Sequence, residues 1–423
     1  MGRGEYAAKS EAWRLTSFIA SFIALAALLA LACGCGGRTR AVEDEPREAY
    51  AEVPEEYRDI YAELEAKLSE LNRYLGEVRT GEARKTVFSL ELVAANANRG
   101  EELLEPMTLY GIEKTLDRLE DIGTTGITLS INYPILDAGF PRSPEYVDFY
   151  RRVAGMVKAH GFTLIVETTT VFPNPEISGL GVDYAGLTLE EYTSGKRSMA
   201  ETIIRELAPD YLTVENEPGT QQANTGLDFT VANQTAVVNG VLSGLDRAGT
   251  RVGAGAGSWD DLAYFESLAA NTDLDYLDVH FYPIQGDLVL DRAERIAETA
   301  RAAGKGLAVS ECWLYKAASS ELSQGQTPAT AADIFARDAF SFWAPLDREF
   351  LEAMVKLSRY LELEFMSPFW MQYLFAYLDY NPAMVEQGYA WVQELSANSA
   401  RINIQAGNLS STGEAYRDLV SGD

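Results

Sequence analysis

Histidine and cysteine are both scarce in this chain, with two histidines and three cysteines in 423 residues. Only Cys312 lies beyond the first 35 residues, so no intramolecular disulfide can form there and stability must come from packing. A lone cysteine nucleophile needs a basic partner. His160 falls in a helix-end turn and His280 ends a strand with a better-explained role, so that chemistry has little to work with. Positive charge is also short: 35 Lys and Arg against 63 Asp and Glu leave a net charge of -28. No basic stripe remains to neutralise a phosphate backbone, which excludes nucleic acid and disfavours docking on anionic lipid. A neutral substrate is the easiest partner to reconcile with such a surface. Apolar residues are not lacking, and at 47% they suffice for a sizeable core.

The first 35 residues read as a targeting segment: Arg3, Lys9 and Arg14 precede an apolar run over 15–32 that ends in small residues and Cys33. Ala30-Leu31-Ala32-Cys33 resembles a lipobox, which makes Cys33 the expected lipidation site and Cys35 an alternate. Simple secretion and an uncleaved membrane anchor are the other outcomes. In each the protein is exported, as a cell-surface lipoprotein or a secreted protein, and it touches a membrane only through that N-terminus. Residues 36–80 then form a linker and an amphipathic helix, with Tyr57, Ile60, Tyr61, Leu64, Leu68, Leu71 and Leu75 at helical spacing. Its apolar stripe is expected to pack across the bottom of the domain that follows.

Over 81–423, short β-branched runs alternate with longer helical stretches, the pattern of repeated βα units around a parallel sheet. Eight strands are expected, at 86–92, 126–132, 163–168, 211–216, 251–257, 276–282, 306–311 and 364–370. Ser143 as N-cap with Pro144 after it opens one of the helices, which Gly161 stops. Eight units close naturally into a (β/α)8 TIM barrel, here with the extra N-terminal helix. A doubly wound open sheet is the competing architecture, because strand order is not written in the sequence. The connections over 171–198 and 314–345 are long, and in a barrel both would wall a cleft at the strand C-termini.

Polar residues at those C-termini are where chemistry is expected, since the strand interiors of a barrel are filled by apolar layers. The fourth strand ends in Asn216-Glu217-Pro218, the sixth in His280-Phe281-Tyr282, the seventh in Glu311-Cys312-Trp313 and the eighth in Phe369-Trp370. Hydrolysis of a glycosidic bond with retention needs one carboxyl to protonate the leaving oxygen and a second to attack the anomeric carbon. Glu217 fits the first role and Glu311 the second. His280 and Tyr282 are two residues apart and share a face, so Tyr282 can bond the nucleophile and His280 can serve the acid. Trp370 offers a sugar-stacking face, with Trp259 and Trp313 at other strand ends and Asn132 as a further sugar ligand. Asn216 would donate to the sugar 2-hydroxyl if it turns inward. Strict alternation aims Glu215 with Glu217, so Glu215 is the rival acid unless the strand is kinked.

These four motifs, in this order on these strands, resemble clan A of the glycoside hydrolases over 86–420, including the closing Leu409-Ser-Ser-Thr-Gly-Glu-Ala-Tyr416 stretch. The resemblance implies a retaining TIM-barrel glycosidase in which Asn216, Glu217, His280, Tyr282, Glu311 and Trp370 take the clan's roles. The stretch from Phe162 through Tyr192 to Pro209-Asp210-Tyr211 is loosely similar to family 53, the endo-β-1,4-galactanases. Two departures stand out: Glu167-Thr168-Thr169 replaces the His those enzymes carry after strand three, and the arginine many clan members carry near strand two is missing beside Asn132-Tyr133. Both affect the sugar subsite. By analogy with other glycosidase acids, Glu217 should titrate at about 6 while Glu311 stays ionised.

Other signals carry less. Gly253-Ala-Gly255-Ala-Gly257 misses the dinucleotide spacing and reads as a small-residue barrel strand. Asp273, Asp275 and Asp278 alternate but lack the Gly and terminal Glu of a calcium loop, and they lead into strand six away from the cleft. No metal and no cofactor are expected. The expected partner is a polysaccharide or oligosaccharide, cleaved at β-glycosidic bonds by a monomer. A non-catalytic surface lipoprotein capturing oligosaccharides on the same barrel is the alternative from another class, and a transglycosylase differs only in how well its acceptor site excludes water.

Overall fold

Eight parallel strands close on themselves in sequence order, β1 against β2 and on round to β8 against β1. The coordinates are a computed structural model and describe residues 52–78, 86–175, 177–286, 288–324 and 328–421. The leader, with Cys33 and Cys35, lies outside the described residues. The strands are β1 Val87–Glu91, β2 Gly126–Ser130, β3 Thr163–Glu167, β4 Tyr211–Thr213, β5 Arg251–Gly257, β6 Tyr276–Phe281, β7 Gly306–Cys312 and β8 Phe365–Pro368. The closed barrel displaces the open-sheet alternative. Among the described residues no helix is long and apolar enough to cross a membrane.

The helices between strands pack apolar stripes on the outside of the barrel. Ser143–Ala159 buries Tyr146, Phe149, Tyr150, Val153 and Val157 at helical spacing. It begins one residue earlier than its sequence suggests: Arg142, at φ 62°, is the cap and Ser143 lies inside the helix. Helix Arg58–Glu77 buries Leu64, Leu68, Leu71 and Leu75, the expected stripe. Its place differs from the expected one. It lies along the flank against helix Ala344–Leu361, with Tyr61 stacked on Trp343 at 5.6 Å and Asn72 Nδ2 donating to Glu349 O at 2.8 Å. Aromatic residues at the start of that outer helix offer the stripe a larger apolar partner than strand ends would.

The barrel interior is apolar only at its lower end. Ile165, Tyr276, Ala308 and Phe365, with Val87 and Tyr211, form a separate apolar plug. Above it the inward residues are polar: Ser89 bonds Thr128 at 2.9 Å, and Thr213 Oγ1 donates to Asp278 Oδ2 at 2.8 Å. Room for these side chains comes from β5. A Cβ on Gly253 would sit 2.1 Å from the Tyr276 ring, and one on Gly255 would sit 1.7 Å from Asp278 O. The alternating glycines are therefore a smooth inner wall over which β6 leans.

Candidate active site

Two irregularities aim the site. Along β4 and its extension, Thr213 and Asn216 both bond Asp278 Oδ2, at 2.8 and 3.2 Å, although strict alternation would send residues three apart to opposite faces. The chain is kinked there, and Glu217 follows with φ 47°. Glu215 is turned the other way: its carboxylate accepts from Tyr192 OH at 2.8 Å and lies 3.7 Å from Lys196 Nζ, buried against helix Leu189–Leu207. On β7 the register slips: Asp278 pairs with Ala308 but His280 pairs with Glu311, two residues on β6 against three on β7. That bulge turns the consecutive Ser310 and Glu311 both into the barrel, where one contacts Asp278 and the other Tyr282.

His280 is the hub. Its Nδ1 lies 2.7 Å from Glu217 Oε1 and 3.9 Å from Glu311 Oε2, so the two carboxylates meet at one ring nitrogen. Its Nε2 lies 3.0 Å from Ser310 Oγ and 3.3 Å from Glu167 Oε2. Ser310 Oγ in turn donates to Asp278 Oδ2, giving a chain of polar contacts from Glu217 to Asp278. Tyr282 OH donates to Glu311 Oε1. Thr220 Oγ1 donates to Glu217 Oε2 at 2.7 Å. The Glu217 and Glu311 side chains keep 15% and 16% of their surface open, whereas those of His280 and Glu167 are at 1%. The two acids are thus the groups that a ligand entering the barrel mouth would meet.

Electrostatics here differ from the expected acid and base. Burial alone would lower the His280 pKa, but Glu311, Glu167 and Glu217 around it raise it well above the ordinary histidine range. Burial pushes Glu217 up, and the short contact with His280 more than reverses this, so Glu217 titrates below a normal glutamate rather than near 6. Glu311 is raised well above its usual range, first by burial and then by Glu167, Glu217 and Glu91, against the lowering effect of His280. Without substrate the proton therefore favours Glu311 over Glu217. The difference comes from how closely His280 approaches Glu217, from the burial of Glu311, and from the added carboxylates of Glu167 and Glu91 around it.

Those two carboxylates close the floor. Glu91 Oε1 accepts from Asn96 Nδ2 at 2.7 Å and Glu167 Oε1 accepts from Ser130 Oγ. The second Glu91 oxygen is buried without a hydrogen-bond partner, and the second Glu167 oxygen faces only His280 Nε2. Burial, then the neighbouring Glu167, raise Glu91 well above its usual range. Asp278, taken from sequence as leading away from the cleft, is instead fully buried beneath it, with burial raising its pKa to about 6. Asp273 and Asp275 bind Arg247 on the outside. Period-two reading from Ser89 to Glu91 and from Asp278 to Tyr282 is the signal that could have found this floor.

The remaining candidates divide. Asn216 is inward and buried, its amide donating to Asp278 and its Oδ1 accepting from Glu217 N at 2.9 Å. Asn132 is buried, and its Oδ1 accepts from Thr169 N and Oγ1, tying β2 to β3. Trp370 is 5% exposed among Phe335, Phe369 and Tyr373, and its Nε1 has no partner among the described residues. Trp313 is 1% exposed, packed on Tyr373 and Lys316 away from the acids. Trp259 is the exposed one at 36%, edge-on to Tyr282 at 6.1 Å. From the 314–345 connection, Tyr315 and Phe335 also pack on Tyr282, so this segment does wall the site. Two depressions on the outer flank, one beside Arg118 and Arg417 and one beside Phe265 and Arg295, lie away from the acids.

Glu167, His280 and Glu311 each offer a ligand atom within 4.8 Å of the others, a donor set able to hold a divalent cation. Glu113, Asp117 and His160 form a second such group, partly exposed on the outer surface.

No protein-family model matches the chain, and no curated protein matches it in sequence. Among solved structures it is similar to a GH5_18 protein from Bifidobacterium longum subsp. longum, with 14% identity and a TM-score of 0.50 over 80% of this chain and 79% of the other. A GH5_18 protein from Bifidobacterium longum subsp. infantis is similar to the same degree, at 13% identity and a TM-score of 0.50 over 80% and 79%. At such identities the likeness establishes the barrel fold and nothing finer.

Proposed function

We propose that this protein is a glycoside hydrolase that cleaves β-glycosidic bonds with retention, using Glu311 as nucleophile and Glu217 as acid/base. One observation carries the reading: two glutamates from β4 and β7 meet at one nitrogen of His280, with Tyr282 OH bonded to the second. In the first step a Glu311 oxygen attacks the anomeric carbon, the bond to the leaving oxygen breaks, and Glu217 protonates that oxygen. In the second, Glu217 takes a proton from water, which attacks the same carbon and releases Glu311. Tyr282 stabilises the ionised Glu311, and the buried Asn216 holds the backbone N–H of Glu217 through its Oδ1. The resting order of the acids requires a proton to move from Glu311 to Glu217 when substrate binds. His280 Nδ1, in contact with both, is placed to pass it.

The same order favours a second reading, in which Glu217 attacks and Glu311 is the acid. A mechanism-based 2-fluoro glycoside, with the labelled peptide mapped by mass spectrometry, separates the two. Label on Glu311 supports the first, label on Glu217 the second, and an inverted product without label would overturn retention. The fold likeness to GH5_18 proteins supports the reaction class; the galactanase likeness is tested by including galactan in the substrate panel. Binding without reducing-end release would favour the oligosaccharide receptor, and transfer to added sugar the transglycosylase. We further infer that the chain is exported as a monomer and lipidated at Cys33, which loss of palmitate labelling in Cys33→Ser tests.

A further inference from the structure

The site has too few cations for its carboxylates. Among the described residues, every ion pair made by Glu167, Glu217 and Glu311 is with His280, and Glu91 makes none. Lys196, which feels the charge of Glu167, is spent on Thr168 O at 2.7 Å and on Glu215. A buried oxygen of Glu91 stays without a hydrogen-bond partner, and the second oxygen of Glu167 has only His280 Nε2, at 3.3 Å, which Ser310 Oγ also approaches. Burying an unpaired carboxylate is costly, and its field reaches far in a medium of low dielectric. A neutral sugar would add no charge to offset those carboxylates of the cluster that stay ionised.

We propose that the sugar held against Glu311 is an amino sugar, a 2-amino-2-deoxy-β-hexoside that presents a protonated amine to this carboxylate cluster. The inference rests on the glycosidase reading and names its substrate class. The substituent on the carbon next to the anomeric carbon is the one nearest the attacking oxygen, so a 2-ammonium group falls beside Glu311. It meets Glu311 and Glu217 directly, while Glu91 and Glu167 act on it through their field from below. Beyond them Asp260 adds another acid after β5, and His280 is the opposing cation. A positive charge at that point draws the negative charge onto Glu311, and the displaced proton goes through His280 to Glu217. The substrate itself then sets the two acids for reaction. The chain's net charge of -28 suits a polycationic polymer rather than the neutral one its surface first suggested.

The test compares kcat/KM of the full-length protein on 4-nitrophenyl β-D-glucosaminide with that on the N-acetylglucosaminide, glucoside, galactoside and mannoside. The amine should be preferred by roughly 10- to 100-fold, as for a charge-assisted contact. The preference should shrink several-fold in Glu167→Gln, which keeps the shape and the Ser130 contact. It should also collapse as pH passes the amine's own pKa, read as a ratio between substrates so that titration of the enzyme cancels. Neutral glycosides cleaved as fast as the amine would overturn this inference and leave the glycosidase reading standing. No cleavage of any glycoside would overturn both. If equilibrium dialysis showed Zn²⁺ bound to the wild type, lost in Glu167→Gln and blocking the glucosaminide, the vacant oxygens would be a metal site and the proposal would fail.

Discussion

Two clusters of buried charge sit within the same half of the barrel, and they are built in opposite ways. Around Lys316, Nζ lies 2.6 Å from Asp338 Oδ1 and 2.5 Å from Asp347 Oδ1, the second Asp347 oxygen accepts from Tyr377 OH, and all three charged side chains are closed to solvent. Around His280, three glutamates share one imidazole, a fourth, Glu91, has no cation and keeps one oxygen without a hydrogen-bond partner, and two side chains reach the opening. The first arrangement fastens the 314–345 wall to helix Ala344–Leu361. The second is unbalanced where a ligand would arrive, as expected of groups placed for chemistry rather than for holding the fold.

The comparison can be broken most severely at the nucleophile. Glu311→Ala should lower kcat by at least about a thousandfold on every glycoside with little change in Tm, and azide should yield only a glycosyl azide of inverted configuration. Unchanged activity would remove the chemistry from this cluster. Glu217→Ala should cost roughly 100- to 10,000-fold on substrates with poor leaving groups, with azide giving the retained product. In the closed cluster the effect should fall on stability instead. Lys316→Met strands two buried aspartates and should cost about 3–5 kcal/mol, a fall in Tm of roughly 5–10 °C by calorimetry.

Removing charge from the open cluster should do the reverse. Glu91→Gln should leave Tm unchanged or raise it by roughly 1–3 °C at pH 8, because the glutamate is unpaired there. A comparable effect concerns pH. Burial raises Asp338 to about 7 from an ordinary 3.8, so between those values the folded chain holds a proton that the unfolded chain releases. Stability from this group therefore falls as pH rises through that window, and a Tm several degrees lower at pH 8 than at pH 5 should flatten in Asp338→Asn. The least effect is expected at Trp259→Ala, which should raise KM roughly 2- to 10-fold by removing an exposed aromatic face, with kcat nearly unchanged.

The architecture was largely legible because it is carried by local pattern. Strand β5 runs where the glycine-alanine alternation places it, and the others differ by a few residues at their ends. Glu217, His280, Tyr282 and Glu311 were legible as strand-end residues, and the structure brings them together. Period two could have turned Glu91 and Asp278 inward, but the rest of what escaped depends on contacts that no window of sequence contains. Glu91 and Glu167 look like ordinary strand-end acids until the barrel closes and stacks them under Glu311. The bulge that turns Ser310 and Glu311 the same way is a mismatch between two strands, invisible in either one. The flank position of helix Arg58–Glu77 was missed because a stripe of leucines shows which face is buried and not what buries it.

Strand β5 contributes almost no side chains to the interior, yet it governs the reach of its neighbour. Because Gly253 and Gly255 leave their share of the lumen empty, β6 can swing a tyrosine, an aspartate and a histidine across it. A single methyl at position 255 would collide with the backbone of Asp278, and the push would travel by way of Ser310 and His280 to the acids. The strand poorest in functional groups is thus among the least free to vary, and damage there would surface as lost activity at a distance.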